Sequence, residues 1–271
     1  MSIKRLEFSH KTVFGIVMRH TELCRKTLER ILDKKILRVD TPEIEKTYDF
    51  SAYSKGIRLD VYCDGEDEVY NIEMQNYEFK DLPKRGRYYQ AMIDKDLLDK
   101  GVPYSRLRKN IIIFICRFDL FNKGRHLYTF ENRCIQDTEL SYGDGTQKII
   151  LNTKSTANDI SLALKMFLDY VETGTAQDEL TTEIEAEVDK IRQNKKWRDE
   201  IMTYEQEWEN EKDSLCAQWK EEAEDATYAK YVSKMFAKGS THDEVIDSLV
   251  DIFDISREKA TEIIKTASAN K

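Results

Sequence analysis

A mixed α/β layer architecture with an all-α C-terminal extension is the fold class this sequence predicts, and three observations predict it. Residues 57–76, IRLDVYCDGEDEVYNIEMQN, are two alternating runs joined by a turn containing Asp64-Gly65, the pattern of a β-hairpin. Residues 110–118, NIIIFICRF, form a continuous apolar run of the kind found in a strand buried on both faces. After Ser155 strand signals stop and helical periodicity takes over.

Taken in order, residues 11–37 predict a helix whose apolar stripe includes Phe14, Val17, Met18, Leu28, Ile31 and Leu32. His20-Thr21-Glu22 can interrupt it, with Thr21 as the cap of a second piece, and Thr41-Pro42 ends it. Residues 43–50 predict a short polar strand. In the hairpin, Ile57, Leu59, Val61 and Cys63 point one way and Arg58, Asp60 and Tyr62 the other; Tyr70, Ile72 and Met74 oppose Asn71, Glu73 and Gln75. Pro83 suits the first turn of the next helix, which Gly101 can stop before Val102-Pro103. Further strands are expected at 126–132 and 147–152, then a helix over 156–171. Three segments follow from this reading: an α/β domain over 1–171, an acidic helical segment over 172–238, and a small helical hairpin over 239–271. In the acidic segment Trp197, Trp208 and Trp219 recur every eleven residues, with Tyr204 between the first two, which keeps them on nearly one helix face for packing. In the hairpin module Ser240-Thr241 and Ser256 are cap residues.

Composition narrows the function. The 271 residues carry a net charge of −8, which argues against a protein that simply coats nucleic acid. The charge is unevenly spread. Residues 172–225 hold eighteen Asp/Glu against seven Lys/Arg, whereas residues 80–125 hold twelve Lys/Arg against five Asp/Glu. No apolar run is long enough to span a bilayer and MSIKRLEF does not resemble a signal peptide, so a cytoplasmic protein with no membrane partner is expected. The five cysteines and four histidines show neither disulfide nor zinc spacing.

The chemistry concentrates in the hairpin. With the turn centred between Glu66 and Asp67, Asp60 lies across from Glu73, where two carboxylates about 5 Å apart repel each other. A divalent cation would cancel that repulsion; a one-residue slip in register, with both acids solvated, is the plain alternative. The basic segment that follows, with Lys84, Arg85 and Arg87 at a helix start, favours bound phosphate. Acids for a metal beside a basic rim are what metal-assisted phosphodiester hydrolysis needs. Glu22 and Glu29 are helix glutamates that could reach the pair, Glu22 being the better candidate for a further metal ligand, although a solvated glutamate is the commoner case.

Arg58-Leu59-Asp60-Val61, Tyr70-Asn71-Ile72-Glu73-Met74-Gln75 and Lys84-Arg85-Gly86-Arg87-Tyr88-Tyr89-Gln90 resemble, in order and spacing, the recombination-promoting nuclease/putative transposase proteins. These are bacterial members of the PD-(D/E)XK nuclease superfamily. Lys100-Gly101-Val102-Pro103-Tyr104 and Ile113-Phe114-Ile115-Cys116-Arg117-Phe118-Asp119 extend the resemblance over residues 10–155, with a weaker echo in Ile191-Arg192-Gln193-Asn194. The resemblance implies a restriction-endonuclease-like core, a mixed central sheet flanked by helices, and a metal-dependent DNA endonuclease associated with recombination or mobile elements. Asp60 and Glu73 would bind Mg2+, for which Mn2+ can substitute, and Gln75 would orient the attacking water where the motif usually has lysine. An amide hydrogen-bonds but brings no charge, so Lys84, Arg85 or Arg87 is expected to supply the cation. Tyr88 and Gln90 join them as expected DNA contacts, and the C-terminal helices offer a surface for a homodimer. Two other readings stand beside this one: a DNA-binding protein with an inactive nuclease fold, and an interaction adaptor acting through the C-terminal helices.

Overall fold

The structure is a computed structural model that describes residues 6–48, 56–195, 197, 201 and 227–269. The chain divides into two compact units, Met1–Ile201 and Met202–Lys271.

In the first unit the described residues form a six-stranded mixed sheet. Its strands are β1 (Glu43–Tyr48), β2 (Ile57–Asp64), β3 (Glu68–Gln75), β4 (Lys109–Cys116), β5 (Leu127–Phe130) and β6 (Thr146–Asn152), in spatial order β1-β2-β3-β4-β6-β5. The β3, β4 and β6 trio is parallel, and the outer pairings are antiparallel. Helices α1 (Lys11–Met18), α2 (Thr21–Leu32), α4 (Leu162–Thr173) and α5 (Glu179–Gln193) pack one face through Phe14, Leu28, Phe167 and Ile184. Helix α3 (Leu82–Leu97) packs the other through Leu82, Met92 and Ile93. The run 110–118 supplies both cores: Ile111, Ile113 and Ile115 face the four helices, while Ile112, Phe114 and Cys116 face α3. Each fully buried side chain of this size contributes about 1.5–3 kcal/mol, so this strand is the thermodynamic centre of the unit. The fold is the restriction-endonuclease-like α/β class expected from the sequence.

Local details differ from expectation where tertiary contacts win. The first helix is two, broken at Arg19-His20, with His20 rather than Thr21 at the N-cap. The second piece ends at Leu32, well before Thr41-Pro42, because Asp33 adopts a left-handed φ of 48°. Helix α4 begins only at Leu162, capped by Ser161 Oγ, which accepts from Leu164 N at 3.2 Å. The preceding residues are held elsewhere: Asp159 takes the backbone N–H and ring Nδ1 of the buried His126 at 3.1 and 2.7 Å. Helix α5 packs on α1 and α2, and Trp197 packs against the same core. Trp208, Trp219 and Tyr204 lie outside the described residues.

In the second unit a helical stretch, 227–237, packs with α6 (His242–Phe253) and α7 (Arg257–Ala269) around Tyr228, Val232, Val245, Leu249, Ala260 and Ile264. Thr241 and Glu244 form a reciprocal capping box, and Ser256 Oγ accepts from Lys259 N at 3.2 Å. Among the described residues no helix is long and apolar enough to cross a membrane.

Candidate metal centre

The register of the hairpin follows from its turn. Val61 pairs with Ile72, Tyr62 with Asn71 and Cys63 with Tyr70, so the ladder is centred between Glu66 and Asp67 and carries Asp60 opposite Glu73. The backbone pairing stops one step short of those acids. Instead Asp60 N donates to Glu73 Oε1 and Met74 N donates to Asp60 Oδ2, each at 3.1 Å. Two carboxylates have replaced two carbonyls as the acceptors of the ladder. Pairing lapses on the β1 side as well: Glu45, the residue that would face Asp60, has a left-handed φ of 54°, a conformation that costs roughly 1 kcal/mol for a side-chain-bearing residue.

This local break corrects the face assignment of the first run. Ile57 and Leu59 pack in the α3-side core, but Val61 and Cys63 pack in the opposite one, so the alternation resets at Asp60. Asn71, Glu73 and Gln75, which the sequence places on one face of the opposing run, are all buried. The result is a pair of acids, each 2% exposed, where three strands part.

Burial and the charge of Asp60 push the Glu73 carboxyl well above the ordinary range, while Lys11, Arg85 and the hydrogen bond from Asp60 N pull it back. Lys11, the first residue of α1, places Nζ 2.7 Å from Asp60 Oδ1. The sequence reading missed Lys11, because an ion pair between a helix start and a strand 49 positions later leaves no local spacing signal. Its approach is fixed by the residues just before it. Asn76 Nδ2 donates to Ser9 O at 2.8 Å, and Arg117, held by Glu172, lies 3.4 Å from Ser9 Oγ.

Arg85 is the member of the basic helix start that turns inward. Its guanidinium lies over Tyr89 and Phe114, 5.6 and 5.7 Å from their ring centroids, and its charge reaches Glu73 and Cys116. Tyr89, also unforeseen, is buried beside the acids; burial, then the charge of Glu73, push its hydroxyl up. Lys84, Arg87 and Tyr88 lie on the exposed side of α3. Gln90 does not join them. It is 5% exposed, with Nε2 donating to Asn110 O at 2.8 Å and Oε1 accepting from Lys148, so its amide is committed to the sheet rather than free for DNA. Glu22 is likewise not brought to the pair: its carboxylate is on the surface, 70% exposed, and paired with Arg25 at 2.8 Å. Gln75 is on β3 next to the acids in sequence and 7% exposed.

Among the described residues no three His, Cys, Asp or Glu side chains gather as a metal cluster. Two buried carboxylates, one with an oxygen that faces only the ammonium of Lys11 among the described residues, nevertheless suit a hard octahedral ion that retains most of its waters. The donor set therefore fits Mg2+ or Mn2+ better than zinc, which takes histidine and cysteine.

A family model described as PD-(D/E)XK nuclease family transposase matches residues 4–223. No curated protein matches the chain, and no solved structure does.

Proposed function

The chain belongs to the PD-(D/E)XK nuclease family transposases, and on that premise we propose that it is a Mg2+-dependent DNA endonuclease of recombination or mobile-element processes, with Asp60 and Glu73 holding the ion. The observation that carries this reading is the reciprocal arrangement of the two acids, each fixed by a backbone N–H of the other strand. Such clamping prevents the carboxylates from relaxing apart and presents a preorganised binding pair.

When bound there, the ion supplies a water of lowered pKa and positive charge for the transition state. The rest is the work of the chain's own residues. Lys11, ion-paired with Asp60, would bring the charge that Gln75 lacks. Gln75 orients the attacking water through an amide that both donates and accepts. Lys11 and Arg85 oppose the burial and the Asp60 charge that raise the Glu73 carboxyl, and the stacking of Arg85 on Phe114 restricts its motion. Lys84 and Arg87 grip phosphates outside the site, with Tyr88 alongside, and this grip weakens as salt rises.

Supercoiled plasmid is the direct substrate for a test. Cleavage in Mg2+ or Mn2+, abolished by a chelator and restored by excess metal, is the expected result. The neutral amide at Gln75 favours a second reading, a protein that binds DNA without cutting it. Salt-sensitive binding with intact plasmid under every metal would establish that reading and overturn the first.

A further inference from the structure

A cavity of about 310 Å3 opens on the same face of the sheet as α3, and the metal centre makes no use of it. Pro83 and Gly86 line it, whereas their helix neighbours Arg85 and Tyr89 address Glu73. Its floor is Phe114 and Ile150, and its side is formed by Phe121 and Phe130, whose ring centroids are 5.1 Å apart at a 54° tilt. Phe130 is 45% exposed on the edge strand β5. A half-exposed aromatic ring on the rim of an apolar slot adds little to the fold, but it suits a flat ligand.

The helix leaves room for the slot. A Cβ at position 86 would stand 3.1 Å from Phe114 Cε2, so a larger residue there would crowd the floor. Thr146, Lys148, Asn132 and Glu131, the last ion-paired with Arg133, supply polar groups at the edges, in a cavity otherwise mostly apolar. A volume at the small end of ligand pockets, apolar faces and a few polar edges match one planar heterocycle. Lys84 and Arg87, adjacent in the helix to the lining residues Pro83 and Gly86, complement a phosphate backbone attached to it.

We propose that this slot receives an unpaired nucleobase of the DNA strand that is cut, held between the Phe114 floor and the Phe121–Phe130 wall. The proposal rests on the nuclease reading and adds a substrate preference to it: DNA with a base out of the stack. The spacing agrees. Glu73 neighbours Phe114 in the ladder and Phe114 neighbours Ile150, so the floor lies one to two strand spacings, about 5–10 Å, from Glu73, and one spacing more from Asp60. That distance corresponds to roughly two or three base steps of a duplex. Stacking on aromatic rings is tolerant of base identity, so the slot selects unpairedness rather than sequence.

The test is binding of the full-length protein in chelator, where no cleavage occurs, to three labelled duplexes: one fully paired, one with a single unpaired adenine, and one with an abasic site at that position. The wild-type protein is expected to bind the unpaired adenine about tenfold more tightly than the abasic site. Phe130→Ala and Phe121→Ala should erase that difference while leaving affinity for the abasic duplex unchanged, and Phe130→Trp should keep it. Equal wild-type affinity for adenine and abasic duplexes would overturn the slot, as would a preference that survives in both alanine variants. The wild-type comparison decides even if one variant fails to fold. Absence of binding to all three duplexes would instead strike at the DNA-directed function itself, a separable outcome.

Discussion

Asp60 stands where β2 loses its backbone partners on both sides, and Lys11 answers for the charge that collects there. Removing Lys11 in the metal-free protein leaves a buried carboxylate without its counter-ion. Breaking a fully buried pair costs about 3–5 kcal/mol, but Lys11 reaches solvent, so Lys11→Met is expected to lose about 1–2 kcal/mol in chemical denaturation. Added Mn2+ should restore more stability to this variant than to wild type, because the ion no longer competes with the ammonium. Its cleavage rate should still fall about a hundredfold, since the charge that Gln75 lacks is gone. The alternation and the Asp64-Gly65 turn made the Asp60–Glu73 register legible in the sequence. The reset of the faces at Asp60 was not, because it comes from side chains capturing backbone N–H groups, and period-two patterning has no term for that. Lys11 was invisible for the reason that most long-range ion pairs are: nothing near it in the chain marks its partner.

The elements that position the pair are tied by contacts that can be tested one at a time. Helix α4 is joined to the end of β4 through Glu172, which pairs with Arg117 and Lys154 and accepts from Thr153 Oγ1 at 2.6 Å. Burial alone would raise its carboxyl, but these partners outweigh burial and hold it down at about 2. A depressed carboxylate contributes stability that is present above its unfolded value near 4.5 and lost as pH falls toward 2. Glu172→Gln should therefore cost about 1 kcal/mol at pH 7, and the gap from wild type should close as the pH of the denaturation series is lowered toward 2. At the α3–β4 contact, Gly86→Ala gains about 1 kcal/mol of helix propensity but crowds Phe114, which Arg85 covers nearby. The expected net is a loss of about 1 kcal/mol, read as a lower Tm. Strand identities were legible because the buried run 110–118 and the hairpin carry strong patterns. The late start of α4 was not, since Asp159 is drawn to a histidine 33 residues earlier in the chain.

At the scale of the whole molecule the charge asymmetry read from the sequence separates a basic stretch beside the acids from an acidic one beyond them. The second unit has its own small core around Val245, Leu249 and Ile264, and the described residues whose charges act on Glu73 (Asp60, Lys11 and Arg85) belong to the first unit. A protein ending at Ile201 is therefore expected to retain metal-dependent cleavage within about threefold of full length; complete loss would favour the adaptor reading of the C-terminal helices. The layered α/β class was accessible from element order alone, whereas the packing of α5 onto α1 and α2 was not, because acidic composition reports solvent exposure of one helix face and not the burial of the other. The central claim, that the clamped carboxylates are the catalytic metal ligands, is tested most directly by incubating supercoiled plasmid and Mg2+ with wild type, Asp60→Ala and Glu73→Ala, each verified as folded by circular dichroism. Cleavage by wild type and a loss of at least about a hundredfold in both variants is the predicted result; cleavage at the wild-type rate in both variants would contradict it.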